Sequence, residues 1–221
     1  AYPAWSVEVV AVGTGEALRL GRQKDADVLL VHAPDQEAAF VADGHGLERR
    51  QVCYNRFVIV GPQDDPARTR QARSAAEAFK RIRDARLAFV SRGDGSGTHA
   101  KERAVWAAAG GEPAGDWYLI TGQGMGETLK IASEKQAYAL TDEATFAAMR
   151  DALDLAVLFS GDPALRNQYG VIPVAGARNE RGARDFVEWI CGPQGQRLIG
   201  RFGVDRFGAP LFVPDAEGGG S

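Results

Sequence analysis

The segment between residues 91 and 99 has the residue types that bind an anion. It follows a short apolar run and reads Ser-Arg-Gly-Asp-Gly-Ser-Gly-Thr-His from Ser91 to His99. Arg92 supplies a charged guanidinium fork, and Ser96 and Thr98 supply hydroxyl donors. Glycines such as Gly97 let backbone N–H groups approach a compact ligand, and a helix that begins here adds positive potential. The segment therefore indicates a site for an oxyanion.

A plain strand-to-helix turn explains the same residues without any ligand. In that interpretation Ser96 is the N-cap of the helix, and Arg92 pairs with Asp94. Residue types alone leave both interpretations open. Because Asp94 would repel a dianion, we expect it to orient Arg92 or to cap the turn in either case.

Two other turns supply candidate donors. Thr14 lies between two glycines after an apolar run, and Gly124 and Met125 begin a helical segment. We expect these residues to aim donors at the ligand, although a simple turn and an ordinary helix start fit them equally well. His99 is expected to be a hydrogen-bonded structural residue. The three histidines have no metal-ligand spacing, so no metal site is predicted.

The elements that must position these residues follow an α/β pattern. Short apolar runs alternate with helical patterns, which predicts βαβ units with mainly parallel sheets flanked by helices. Pro34 is predicted to begin one helix, and Thr141 is predicted to cap another. The predicted strands are Val7 to Val12, Asp27 to Val31, Gln51 to Val60, Leu87 to Val90, Ala137 to Leu140 and Gln168 to Val174.

Composition restricts the classes of function. The 221 residues carry a net charge of −3, which leaves no basic surface for a nucleic acid. No apolar run approaches the ~18 residues that a membrane span needs. Cys53 and Cys191 are too few for a disulfide scaffold, and the sequence does not decide whether they pair.

The anion segment also carries a resemblance to a known family. Extended to Glu102, it resembles the motif of tungstate-binding proteins of bacterial ABC transporters. The resemblance continues in order along nearly the whole chain, through Val10 to Gly15, Ala26 to Pro34, Tyr54 to Pro62, Gly124 to Leu129, Tyr169 to Val174 and Phe207 to Phe212.

The resemblance implies a two-lobed periplasmic-binding-protein fold that holds its anion in the cleft between the lobes. Lobe I is expected to comprise residues 1–86 and 175–217, lobe II residues 87–174, and residues 218–221 a Gly/Ser linker. Arg92 and Thr98 are implied to contact the anion.

The same resemblance implies a function. The expected protein is a monomer without catalytic activity or a cofactor. It binds tungstate, and molybdate as a close analogue, for a membrane permease. It is periplasmic or extracellular, with a lipid anchor as an option.

In that family a Thr/Ser-rich loop after an earlier strand supplies the other half of the site. That loop has no counterpart in these residues, and Val7 to Val12 resembles the strand that follows it. The expectation is that the chain alone binds weakly and that the Thr/Ser-rich segment strengthens binding.

Two other functions are compatible with parts of the same motif. A phosphate-binding transport protein shares the Arg-x-Asp-x-Ser-Gly-Thr pattern, and its Asp accepts the proton of monohydrogen phosphate. A hydrolase could use Ser96, His99 and Asp94 as a triad. The chain has no Gly-x-Ser-x-Gly elbow, and a Ser and a His three residues apart at a helix start fit that geometry poorly.

Overall fold

The computed structural model describes residues 5–216. The α-helices are α1 (Thr14–Gln23), α2 (Pro34–Ala42), α3 (Ala75–Asp84), α4 (Gly97–Ala108), α5 (Met125–Glu134), α6 (Glu143–Met149), α7 (Glu180–Cys191), α8 (Pro193–Ile199) and α9 (Val204–Phe207). The β-strands are β1 (Val28–Val31), β2 (Arg50–Gly61), β3 (Phe89–Ser91), β4 (Tyr118–Ile120), β5 (Ala139–Asp142), β6 (Ala156–Phe159), β7 (Arg166–Pro173) and β8 (Val213–Pro214).

The chain divides into two compact units. Unit 1 is drawn from Ala1–Tyr54 and Gln168–Ser221, and unit 2 is Asn55–Asn167. Strands β2 and β7 carry the chain from one unit to the other. The lobe boundaries proposed from the sequence stay a prediction, and the proposed linker 218–221 lies outside the described residues.

Unit 1 has an antiparallel sheet covered by helices. β1 pairs with β7, β7 neighbours the first part of β2, and β8 pairs with β2 at Cys53 and Tyr54. Leu18 of α1 and Phe40 of α2 are buried with Leu29 of β1 in one cluster. Both helices therefore bury apolar side chains against the sheet.

One side chain of unit 1 joins three segments. The amide Nε2 of Gln196 in α8 donates to the carbonyl oxygens of Val52 (3.0 Å) and Ile190 (2.9 Å). Its Oε1 accepts from the N–H groups of Asp215 (3.1 Å) and Ala216 (3.2 Å). The buried amide thus ties the chain near β8 to β2 and α7.

Unit 2 has its core between α3, α4 and strand β3. The ring centroids of Phe79 and Trp106 lie 4.3 Å apart, and each ring lies 5.1 Å from that of Phe89. The second part of β2 pairs antiparallel with β5 and β6, whereas β3 and β4 pair parallel. This core supports the carboxyl ends of β3 and β4.

Three predictions about the fold are wrong in detail. The α/β two-lobed class is confirmed, but the sheets are mostly antiparallel rather than parallel, because a doubly covered strand is apolar in either direction. Residues 7–12 form no strand and are exposed, since an apolar run becomes a strand only where a neighbour pairs with it. The cap of α6 is Asp142 rather than Thr141, because the Asp142 carboxylate accepts from the Thr145 N–H.

Between residues 5 and 216, no helix is long and apolar enough to cross a bilayer. That part of the chain also contains no group of three His, Cys, Asp or Glu side chains able to hold a metal ion.

Candidate oxyanion-binding site

The candidate loop lies at the carboxyl end of a parallel strand pair in unit 2. Phe89, Val90 and Ser91 of β3 pair with Tyr118, Leu119 and Ile120 of β4. Both strands end at the same edge, and each is followed by a turn and then a helix, α4 or α5. Ligands of open α/β sheets bind at such carboxyl ends.

The turn between β3 and α4 depends on glycine. Gly93 has a φ of +61°, and a Cβ atom there would lie 2.2 Å from Cγ2 of Ile120. Gly95 also has a positive φ, of +72°. Only glycine adopts these angles without strain and lets the loop lie against β4. The glycines therefore set the path that brings Arg92 and Ser96 into one turn.

Asp94 organises this loop by accepting two hydrogen bonds. Its Oδ2 accepts from Nη2 of Arg92 (2.6 Å), and its Oδ1 accepts from the N–H of Ser96 (3.1 Å). Burial opposes ionisation of Asp94, but the interactions with Ser96 and Arg92 outweigh it and lower its pKa below the ordinary value. Asp94 both orients Arg92 and braces the turn, which confirms both roles expected for it.

The first turn of α4 is capped by its own loop. The Ser96 hydroxyl accepts from the N–H of His99 (3.3 Å), and Nδ1 of His99 accepts from the N–H of Gly95 (3.0 Å). Ser96 is thus the N-cap and His99 a structural residue, as predicted. These bonds use the Ser96 oxygen as an acceptor, and the Ser96 side chain also hydrogen-bonds to Asp94, which lowers the pKa of that carboxyl.

Several donors of the loop have no acceptor among the described residues. The Nε of Arg92 is buried and makes no hydrogen bond within residues 5–216, and the Arg92 side chain is only 18% exposed. In the same part of the chain, the N–H groups of Gly93, Gly97 and Thr98 make no hydrogen bond. A buried guanidinium N–H without a partner costs free energy unless an acceptor is supplied. An anion is the acceptor that suits this set of donors.

A second turn joins the loop to the start of α5. The N–H groups of Thr121 and Gly122 donate to the carbonyl oxygens of Ser91 (3.0 Å) and Arg92 (2.8 Å). The Thr121 hydroxyl also donates to the Ser91 oxygen (3.1 Å) and lies 3.0 Å from the hydroxyl oxygen of Thr128 in α5. The carbonyl oxygens of Ser91 and Arg92 thus accept hydrogen bonds from the second turn, whereas the N–H groups of Gly93, Gly97 and Thr98 make none within residues 5–216.

Gly124 and Met125 occupy the N-terminus of α5 beside this turn. Gly124 is the N-cap and receives no side-chain cap, and Met125 is the first helical residue. The Thr128 N–H and hydroxyl both donate to the Gly124 carbonyl oxygen, each at 3.0 Å. The N-termini of α4 and α5, which are the positive ends of the helix dipoles, thus follow the neighbouring strands β3 and β4.

Glu102 lies under the loop on α4. Its Oε1 accepts from the Tyr118 hydroxyl (2.6 Å) and from Nε1 of Trp106 (3.2 Å). Burial raises the pKa of Glu102 above its ordinary value, and these hydrogen bonds only partly offset the effect. Glu102 therefore connects α4 to β4 and supports the turn between β3 and α4.

The sequence-predicted residues fall into two groups. Arg92, Ser96, Gly97 and Thr98 lie together on the loop, and Gly124 and Met125 lie on the turn that is hydrogen-bonded to it. Thr14 belongs to unit 1, where it begins α1 after Gly13. Its hydroxyl is buried and makes no hydrogen bond within residues 5–216. For the residues of both groups, contact with a ligand stays a prediction.

Sequence reasoning missed the contribution of Thr121 and Thr128. Thr121 follows β4 immediately and precedes a glycine, as Arg92 does after β3. A polar residue before a glycine at the end of an apolar run was the available signal. The pairing of β3 with β4 was needed to show that the two turns meet.

Comparison with known proteins places these features in a family. The sequence model of a PBP superfamily domain matches residues 1–194. The tungstate-binding protein of Peptoclostridium acidaminophilum is 48% identical over 215 residues, which cover 95% of this chain and 75% of that protein.

Two solved structures have similar folds and sequences. A tungstate ABC transporter structure from Geobacter sulfurreducens is 44% identical with a TM-score of 0.80, and the match covers 88% of this chain and 85% of that one. A tungstate-binding protein from Desulfovibrio alaskensis G20 is 42% identical with a TM-score of 0.81, and the match covers 94% and 86% of the two chains.

Proposed function

Because the chain belongs to the tungstate-binding proteins of the PBP superfamily, we propose that it binds tungstate for an ABC importer. Molybdate is proposed as a second ligand, because both are tetrahedral dianions of nearly equal size. The proposed contacts in unit 2 are Arg92, Ser96, Gly97, Thr98, Gly124 and Met125. Thr14 is the proposed contact from unit 1.

The buried, unpartnered Nε of Arg92 carries this proposal. It lies in a loop whose N–H groups at Gly93, Gly97 and Thr98 also make no hydrogen bond within residues 5–216. A hydrogen bond to a charged ligand contributes about 1.5–3 kcal/mol. Five or six of them contribute about 8–18 kcal/mol before the entropy of association is subtracted, a range that includes the ~12 kcal/mol of nanomolar affinity.

The arrangement of Asp94 favours a fully ionised anion over phosphate. Monohydrogen phosphate carries a proton that needs an acceptor, whereas tungstate and molybdate carry none at neutral pH. Both oxygens of Asp94 already accept hydrogen bonds from Arg92 and Ser96. The carboxylate thus supports the loop, and this supports tungstate over phosphate.

The geometry also argues against a hydrolase. The contact of Ser96 with His99 runs from the backbone N–H of His99 to the serine oxygen, and Nδ1 of His99 accepts from Gly95. A nucleophilic serine needs the imidazole itself as its base. We therefore propose that the chain has no catalytic activity and uses no cofactor.

The same proposal names a partner and a compartment. The relatives are solute-binding proteins of ABC transport systems, which act outside the cytoplasmic membrane. We propose a periplasmic or extracellular monomer, with a lipid anchor as an option, that delivers its anion to a membrane permease. Light scattering of the purified protein tests the monomer, and pull-down of the permease tests delivery.

Competition calorimetry tests the ligand. Tungstate, molybdate, sulfate and phosphate are titrated at pH 7, and we expect the two group-six anions to bind in preference to the others. A preference for phosphate over tungstate would contradict the proposal. Repeating the titration with a Thr/Ser-rich segment added in trans tests whether such a segment strengthens binding. A generic phosphoester assay checks for turnover, and none is expected.

A further inference from the structure

Asn55 on β2 has a buried side chain with an unused donor. The residue is 0% exposed, and its Oδ1 accepts a hydrogen bond from Nδ2 of Asn167 (2.8 Å). Its own Nδ2 makes no hydrogen bond within residues 5–216. A buried donor without an acceptor costs free energy, as it does at Nε of Arg92, so this amide group calls for an acceptor from outside the described chain.

The register of the strands places Asn55 at the edge of unit 2 that carries the anion loop. Phe89 of β3 forms a parallel bridge to Tyr138, immediately before β5, so β3 and β5 end at the same edge. β2 runs antiparallel to β5, with Phe57 opposite Asp142, the last residue of β5. Asn55 lies two residues beyond that pair. It therefore lies past the carboxyl end of β5, on the side where the turn after β3 also begins.

Alternation along β2 places the side chain of Asn55 on the face of the sheet that α4 covers. Phe57 and Ile59 are buried in one cluster with Trp106 of α4, whereas Val58 is buried in another cluster with residues of α5. Alternate residues of a strand share a face, and Asn55 is two residues from Phe57. Asn55 therefore shares its face of the sheet with α4.

A contact of α4 brings the start of that helix close to the partner of Asn55. Nζ of Lys101 in α4 donates to the carbonyl oxygen of Ala164 (2.9 Å), three residues before Asn167. Lys101 is about one helical turn from Thr98, whose N–H makes no hydrogen bond within residues 5–216. The unused donors of Asn55 and of the start of α4 thus belong to the same edge and the same face.

The acidic side chains at the end of β5 are already engaged as acceptors. Both oxygens of Asp142 accept hydrogen bonds from Thr145 in α6, and Glu143 accepts from the N–H of Arg56. None of these bonds uses Nδ2 of Asn55. Because Oδ1 of Asn55 is also engaged, the amide has only its N–H group to offer a ligand.

We propose that Asn55 is a further contact of the anion, with Nδ2 donating to one anion oxygen and Asn167 holding the amide in that orientation. The inference rests on the proposed function, because it adds a donor to the same site. An N–H group cannot accept the proton of monohydrogen phosphate. The amide therefore contributes to the preference for tungstate over phosphate.

Side-chain NMR tests the contact directly. The full 221-residue chain is isotope-labelled, and excess sodium tungstate is added at pH 7. The Nδ2 resonances are assigned through their bonds to the backbone. We expect those of Asn55 to shift, because the group gains a charged acceptor. Asn179 of unit 1, whose Oδ1 caps α7 at Gly182, is the internal control, and its Nδ2 should not shift.

The same substitution at the two asparagines gives a matched pair of variants. Asn55→Asp keeps Oδ1 as the acceptor for Asn167 but replaces the donor by a charged oxygen. We expect tungstate to bind about 100-fold more weakly, and phosphate to lose less, because the new carboxylate can accept its proton. Asn179→Asp keeps the cap of α7 and should bind both anions like the parent. If Asn55→Asp does not fold, the NMR titration of the unaltered chain decides the question.

The resonance of Nε of Arg92 separates this inference from the proposed function. A shift at Arg92 without one at Nδ2 of Asn55 would overturn the inference and leave the proposed function standing. No shift at either group would overturn both. Tungstate binding by Asn55→Asp that equals binding by Asn179→Asp would also overturn the inference, since the buried amide would then have a structural role alone.

Discussion

Oδ2 of Asp94 lies 2.6 Å from Nη2 of Arg92, while Nε of the same guanidinium is buried without a partner in the described chain. One nitrogen of the guanidinium is thus held by the protein, and a second nitrogen, Nε, has an N–H that lacks an acceptor within residues 5–216. The Asp94 carboxylate orients the guanidinium without accepting a hydrogen bond from every one of its donors. This division is what an anion site needs, because a free arginine would lose more side-chain entropy on binding.

Arg92→Ala should weaken tungstate binding by about 2–5 kcal/mol, because a buried dianion loses its main counter-charge. Arg92→Lys should recover only part of the loss, since an ammonium group cannot hold two oxygens with a planar fork. Calorimetry measures both variants. Arg103→Ala on α4 is the control, because Arg103 is exposed and pairs with Glu112. Parent-like binding by Arg92→Ala would place the site elsewhere.

Thr98→Val should weaken binding by about 1–3 kcal/mol through the loss of one hydroxyl donor. Thr98 is only 5% exposed, so the similar shape of valine should preserve the packing of α4. Thr98→Ser keeps the donor and should bind like the parent. If the valine and serine variants bind equally, the hydroxyl does not contact the anion.

Glu102→Gln should change how stability depends on pH. Burial raises the pKa of Glu102, so the folded state retains its proton at a pH where the unfolded chain has lost it. The parent should therefore lose stability as pH rises from the ordinary value of 4.5 through the folded pKa. Glutamine keeps the acceptor for Tyr118 and removes this titration.

Urea unfolding between pH 4 and pH 8 measures this effect as the difference in stability between variant and parent. That difference should rise in favour of Glu102→Gln as pH increases and then level off. Glu112→Gln, at an exposed carboxylate, is the control. A difference that stays flat with pH would show that Glu102 is not destabilised by burial.

Sequence patterns predicted the local part of this site better than its surroundings. The donors from Arg92 to Thr98 are contiguous, so one strand end and one helix start determine their placement. Thr121 acts through a hydrogen bond to Ser91, thirty residues away, which no local pattern contains. The antiparallel pairing of the strands could not be predicted for a related reason. Periodicity indicates which residues are buried, and it does not indicate which strands pair with each other.

Cys53 and Cys191 should not react with a thiol reagent in the folded protein. Both are free and buried, and burial raises the pKa of Cys53 to about 12 and raises that of Cys191 as well. The reactive thiolate is therefore suppressed at pH 8. Ellman's reagent should detect no thiol in the native protein and two after unfolding in guanidinium. Fewer than two, without reductant, would mean that the cysteines pair.

The buried amide of Gln196 makes one position of unit 1 sensitive to chemical ageing. Deamidation replaces Nε2 by a carboxylate oxygen, which would then oppose the carbonyl oxygens of Val52 and Ile190. At the exposed neighbour Gln194 the same conversion adds a solvated charge and disturbs nothing. Deamidation therefore disturbs nothing at Gln194, whereas at Gln196 it loosens the attachment of β8 to β2.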